Sequence, residues 1–221
     1  MEVWWIRHGE SESNAGLRTE SDRGNPLSAK GQAEAILIPD AFERAPSLVV
    51  TSPYVRTLQT ALPLLRRFPD VAHEEWPVQE YTWLSTLRRR NTTSQERMPW
   101  AKAHFERFDP HFVDGEGAES FVEFMGRVQG ALERLRRLEH DFVVVFCHGA
   151  FIRALLWSQL TRPKVLDSAA MQKFVYFDMA VNVPNASITK MHLHAKHVFF
   201  TPPLVDHLER MHMEPSQASD A

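Results

Sequence analysis

Three short stretches hold residues able to do chemistry: Arg7-His8-Gly9, Ser52-Pro53 with Arg56 four residues after the serine, and Cys147-His148-Gly149. A neutral imidazole is a nucleophile near neutral pH, and a guanidinium beside it is a fixed cation that grips an oxyanion through paired donors. Together they suit phosphoryl transfer, in which a dianionic group needs several donors about its equatorial oxygens and a nucleophile in line with the leaving oxygen. His8 is the candidate nucleophile, its second ring nitrogen tied down by a backbone carbonyl, while Arg7, Arg56 and His148 are the candidate phosphate holders. The departing alkoxide needs a proton, and a carboxylic acid near a phosphate dianion keeps one. Glu80 is the candidate donor, Asn14 is close enough in sequence to line the same pocket, and the helix starts after Ser52 and Gly149 would add backbone donors.

Residues so far apart meet only if a sheet gathers them. Val3–Ile6, Ser47–Val50 and Phe142–Phe146 are short apolar runs of buried-strand type, each ending abruptly at one of the polar stretches. Helix patterns follow at NPLSAKGQAEA, with Ser28 as cap, Ala33, Ala35, Ile36 and Leu37 as apolar face and Pro39 as stop, and at TSPYVRTLQTALPLLRRF. In the latter Ser52 is the expected cap, and Val55, Leu58, Leu65 and Phe68 the expected sheet-facing stripe. A strong amphipathic helix spans Ala118–Leu138, a further helix spans Gly149–Leu160, and Phe174–Met179 and Ile188–Phe200 read as strands. Val71–Gln79 reads as an irregular connection, with a short strand near Val78. Alternation of strand and helix predicts an α/β three-layer sandwich, a mostly parallel sheet with helices on both faces, whose strand ends converge on one rim. Residues 81–118 mix Trp83, Trp100, Phe105, Phe108 and Phe112 with Arg88, Arg89, Arg90 and Arg97, and read as a helical lid whose arginines Arg88, Arg89 and Arg97 are candidate substrate contacts. One domain over residues 1–210 and a flexible tail at 211–221 complete the expectation.

Composition narrows the function. A net charge of -3 offers no overall basic field for nucleic acid, and no apolar run nears the ~20 residues of a membrane span. With Cys147 as the only cysteine, no internal disulfide and no cysteine-based zinc cluster can form, and a cytoplasmic, unexported protein is expected. His192, His194 and His197 lack acidic or cysteine company, and Cys147 points away from its neighbour His148 on a strand, so neither a metal nor thiol catalysis is expected.

The sequence also resembles the histidine phosphatase superfamily, whose members have a phosphoglycerate mutase-like fold. RHGES with Asn14, PLSAKGQ, TSPYVRTLQTA and CHGAFIRAL resemble four of its motifs in order, over Val3 to Thr189. The resemblance implies phosphorylation of His8, a phosphate pocket of Arg7, Arg56 and His148 assisted by Asn14 and Gly149, proton donation by Glu80, no cofactor and no metal. Asn25 replaces a frequent acidic residue before PLS, YTWLSTLRRR replaces the usual glycine-containing sequence after the acid, and Glu119 in GAES competes with Glu80 as donor. The expected activity is metal-independent hydrolysis of small phosphomonoesters. A mutase, which returns the phosphoryl group, and a phospho-ligand binding module without turnover are the alternatives, and a homodimer is left open.

Overall fold

A computed structural model of the protein describes residues 1–194 and 197–211. From residue 212 on, the tail expectation lies outside the described residues. In chain order the elements are β1 (Glu2–Arg7), α1 (Ala29–Leu37), β2 (Leu48–Thr51), α2 (Val55–Arg67), β3 (Ala72–Glu75), α3 (Thr86–Arg89), α4 (Ser94–Phe105), α5 (Phe121–Arg136), β4 (Phe142–Cys147), α6 (Gly149–Thr161), α7 (Ser168–Ala180), β5 (Ile188–Leu193) and β6 (Val198–Phe200).

The strands form one mixed sheet in the order β3-β2-β4-β1-β5-β6. The first four strands in that order run parallel, and β5 and β6 are antiparallel additions. Alternation along β1 divides the core: Val3 and Trp5 pack with Phe124, Phe151 and Phe174 on one face, and Trp4 and Ile6 with Phe42, Ala61 and Leu64 on the other. The three-layer α/β architecture is thus present, with α5, α6 and α7 on one side and α1 and α2 on the other. Register does the rest: Arg7 pairs with Cys147 and Thr51 with Phe146, so β1, β2 and β4 end together and release His8, Ser52 and His148 along one edge.

Several elements differ from the sequence reading. Phe174–Met179 belongs to the helix α7, not a strand: Asp167 caps it by accepting from Ala170 N, and Ala170, Met171 and Phe174 form its buried stripe. The predicted strand Ile188–Phe200 is two strands, β5 and β6, paired antiparallel. β3 lies at Ala72–Glu75, upstream of Val78, and its polar, mostly exposed sequence is that of a sheet edge. In α2, Val55 and Leu58 are exposed and the buried stripe is Arg56, Thr57, Thr60, Ala61 and Leu64; in α1, Ile36 is exposed. Tyr54, not Ser52, precedes the first turn of α2. Ser28 does cap α1, accepting from Gly31 N at 3.1 Å, and the α-helix stops at Leu37, before Pro39.

Two glycines bring the first polar loop against α1. A Cβ on Gly9 would stand 2.5 Å from Gly31 O, and one on Gly31 would stand 1.9 Å from Glu10 O. Ser28 Oγ donates to Glu10 Oε1 at 2.8 Å, so the PLSAKG segment braces the backbone that presents His8.

Candidate active site

His8 leaves the end of β1 with its backbone held on both sides: its N–H donates to Cys147 O at 3.0 Å, and its carbonyl accepts from Ala186 N and Asn185 Nδ2, each at 3.1 Å. The ring is held as well. Nδ1 lies 2.7 Å from the Gly9 carbonyl, which can only accept, and Arg56 Nε, which can only donate, lies 3.1 Å from Nε2. Both constraints select one tautomer, with the proton on Nδ1 and the lone pair on Nε2. Burial, reinforced by the charges of Arg56 and Arg7, holds the imidazole well below its ordinary pKa and keeps it neutral.

The same guanidinium reaches His148. Arg56 Nη2 donates to His148 Nδ1 at 3.1 Å, which leaves Nε2–H to donate to Ser52 Oγ at 2.8 Å. The two imidazole rings stand edge to face with centroids 5.0 Å apart. His148 too sits well below its ordinary value, through burial first and then Arg56, His8 and Arg7. Arg56 is itself fixed by Asp22 O at 2.6 Å and by the Tyr54 ring beneath it at 4.7 Å. Arg7 donates to Val183 O at 2.6 Å, while its Nε is buried with no hydrogen-bond partner.

A polar cavity of about 250 Å³ opens over this group, lined by Arg7, His8, Asn14, Arg56 and Glu80 from the core and by Trp83, Arg89 and Arg97 from the 81–118 segment. His148 lies behind Arg56, fully buried, and meets the cavity only through that guanidinium. Gly149 does not line it; a Cβ there would crowd Arg7 Nε at 3.3 Å, so the glycine makes room for the arginine. Arg88 does not line it either: it pairs with Asp114 and stacks over Trp100 at 4.8 Å. Arg89 lines the cavity with its charge matched by Asp22 Oδ1 at 2.6 Å. Arg97 is buried and ties the first loop to α4, donating to Thr92 O at 2.8 Å, Ser13 Oγ at 2.8 Å and Ser94 Oγ at 3.2 Å. Asn14 Oδ1 accepts from Ser11 N and Asn185 Nδ2, each at 3.2 Å, and so locks the loop.

The two acids have different surroundings. Glu80 Oε1 accepts from Ala150 N and Tyr81 N, each at 3.1 Å, with its carboxylate on the cavity wall. The Ala150 N–H in the first turn of α6 therefore serves Glu80, not the cavity as the sequence suggested. Glu119 is engaged elsewhere: Arg127 grips it with Nε and Nη2 at 2.8 and 2.6 Å, and it accepts from Thr82 N. Asp22 was not visible as a site residue in the sequence, and Ser52, read as a helix cap, instead meets His148; only Thr60, one turn beyond Arg56 and donated to by Gly9 N, follows the helical period of a known candidate. Cys147 is fully buried, its thiol pushed far up by burial. Among the described residues no group of three or more His, Cys, Asp or Glu side chains is arranged to hold a metal ion, and no helix is long and apolar enough to cross a membrane.

A parallel sheet edge that gathers two neutral imidazoles about one guanidinium, beside a second arginine and a carboxylate, defines an α/β protein built to receive an oxyanion. The profile of the histidine phosphatase superfamily (branch 1) matches residues 3–200. The chain belongs to that superfamily. It is 26% identical to a probable phosphoglycerate mutase of Proteus mirabilis, over 86% of this chain and 84% of that protein, and 29% identical to phosphoserine phosphatase 1 of Hydrogenobacter thermophilus, over 68% and 72%. Among solved structures, the α-ribazole phosphatase of Shigella flexneri superposes with a TM-score of 0.72 at 19% identity, over 92% of this chain and 96% of that one.

Proposed function

We propose that this chain hydrolyses phosphomonoesters through a phosphohistidine on His8. The observation that carries the reading is Arg56, which donates from Nε to the lone pair of one neutral imidazole and from Nη2 to a second, so that a fixed cation stands against His8 at the cavity. In the first step the His8 Nε2 lone pair forms the P–N bond, the ester P–O bond breaks, and the departing alkoxide takes its proton from Glu80. In the second, Glu80 takes a proton from water as its oxygen bonds to phosphorus, the P–N bond breaks, and its electron pair returns to Nε2. Arg7 and Arg56 neutralise the equatorial oxygens throughout, with His148 behind them.

Glu80 suits the proton-donor role better than Glu119, whose two oxygens are occupied by Arg127 and Thr82 N. Side chains supply every charge in the scheme, so turnover is expected to persist in excess chelator. Hydrolysis also fits better than return of the phosphoryl group, because the polar cavity adjoins a second, larger one, an open approach that suits entry of water better than retention of a phosphoenzyme. The test is His8→Ala together with acid-labile, base-stable labelling of the wild-type chain by a radiolabelled phosphomonoester. Wild-type turnover in the variant, or label recovered on another residue, refutes the mechanism.

A further inference from the structure

Beside the polar cavity lies a larger one of about 860 Å³, within the range of sites that enclose small organic molecules. The two share Glu80, Trp83, Arg89 and Ala101, so the carboxylate that faces the phosphate stands at the entrance to the second space. An ester whose phosphate sits against His8 has its alcohol passing Glu80 into this space.

The walls identify what belongs there. Tyr81, Trp83, Phe105, Phe108, Phe174 and Tyr176 supply rings from α4, α7 and the chain around them. Phe108 has φ of +47°, a left-handed conformation costly for a bulky side chain, and it closes the wall edge to face against Tyr176 with centroids 6.3 Å apart. Tyr176 is 59% and Met179 80% exposed, so large apolar side chains stand at the mouth with no protein covering them. The cations at this cavity are each matched: Arg89 by Asp22, Arg153 by Asp178 Oδ1 at 2.6 Å, and Lys102 by Glu106 at 3.8 Å, while Glu80 adds a further acid. No surplus positive charge remains to select a second anionic group.

We infer that the preferred substrates are phosphomonoesters of bulky, uncharged, ring-bearing alcohols, not the short carboxylated esters phosphoserine and phosphoglycerate. The inference rests on the phosphatase reading above and adds the leaving group to it. Rings stacked on the aromatic walls gain apolar burial that a short carboxylated chain lacks, while its carboxylate would be desolvated next to paired charges.

The test holds leaving-group chemistry constant by using primary alkyl esters: 3-phenylpropyl phosphate, propyl phosphate and phosphoserine, with kcat/KM measured for each. The phenylpropyl ester is expected to exceed propyl phosphate by about thirtyfold and phosphoserine by more. Tyr176→Ala and Phe105→Ala are each expected to lower the ratio of phenylpropyl to propyl kcat/KM at least about fivefold, and a ratio is independent of the fraction of folded enzyme. Equal turnover of the three esters, a preference for phosphoserine, or a ratio unmoved in both variants overturns the inference while leaving the phosphatase reading intact. Absence of turnover with all three, together with absence of phosphohistidine, removes both.

Discussion

Replacing Arg56 with methionine tests the core of the site, because this one side chain touches both imidazoles. Methionine fills most of the buried volume of the arginine stem and removes the guanidinium. Its Nε and Nη2, 3.1 Å from His8 Nε2 and His148 Nδ1, are the donors an entering phosphoryl group would meet beside His8. Each charge-assisted hydrogen bond is worth about 1.5–3 kcal/mol, so losing the pair costs about 3–6 kcal/mol of transition-state stabilisation, or about two to four orders of magnitude in kcat/KM. A second consequence has a definite sign. Arg56 is the charge that most depresses the His8 and His148 pKa values after burial itself, so its removal raises both. The nucleophile then protonates at a higher pH, and the acid limb of the kcat/KM profile, which reports the free enzyme, moves upward. Steady-state rates with an alkyl phosphate between pH 4.5 and 8, on variant protein shown by circular dichroism to be folded, give both readouts. A loss smaller than about tenfold, or an acid limb that stays or moves down, would refute the assignment of Arg56 as the phosphate clamp.

Glu80→Gln should slow alkyl phosphates by about 10²–10⁴-fold and activated aryl phosphates far less, whereas Glu119→Gln should lower thermal stability by about 1–3 kcal/mol and leave the leaving-group dependence unchanged; the reverse pattern exchanges their roles. Acidification should destabilise the fold from pH ~6.5 downward: His8, His148, His104 and His207 all have lowered folded pKa values, His104 to about 4, chiefly through burial. The unfolded chain therefore binds more protons in that window, so the stability of the neutral forms is complete above the unfolded value and is lost as pH falls, at up to ~1.4 kcal/mol per unit per histidine. A urea midpoint that is constant or rises between pH 7.5 and 5 contradicts this. Gly31→Ala should cost at least about 2 kcal/mol by equilibrium unfolding, since its Cβ would stand 1.9 Å from Glu10 O; a neutral result would mean that the first loop and α1 do not meet as described.

What was legible in the sequence is what local pattern controls. β1 and β4 announce themselves by apolar runs that stop at Arg7 and at Cys147, and parallel pairing then leaves His8 and His148 no choice of edge. α5 was legible because Phe121, Phe124, Val128, Leu132 and Leu135 recur at spacings of three and four, and the structure adds a capping box of Ser120 and Glu123 that starts the helix three residues later than Ala118. α7 was not, because Phe174-Val175-Tyr176-Phe177 has strand-like composition, and only its cap at Asp167 and its packing on α6 make it helical. Arg88 beside Arg89 is beyond any local rule: neighbours on a short helix diverge, one to Asp114 and one to Asp22, and both acids lie far away in sequence.

The misread stripe of α2 has a functional cause. Apolar periodicity picked Val55 and Leu58, yet the first turns of this helix lie over the end of the sheet, where the site is polar. The face turned inward there carries Arg56, Thr57 and Thr60, and their satisfaction is internal: Thr57 Oγ1 meets Ser52, Thr60 Oγ1 receives the Gly9 N–H, and Arg56 spans the imidazoles. Only further along, at Ala61 and Leu64, does the same face become apolar. A helix whose buried face is polar for two turns and apolar beyond breaks the rule that its inner side is its greasy side, and it breaks it at the turns that carry Arg56 to the two imidazoles. The exposed Val55 and Leu58 are then the cost of turning Arg56 inward, which makes the failure of the periodicity rule in α2 itself a pointer to the site.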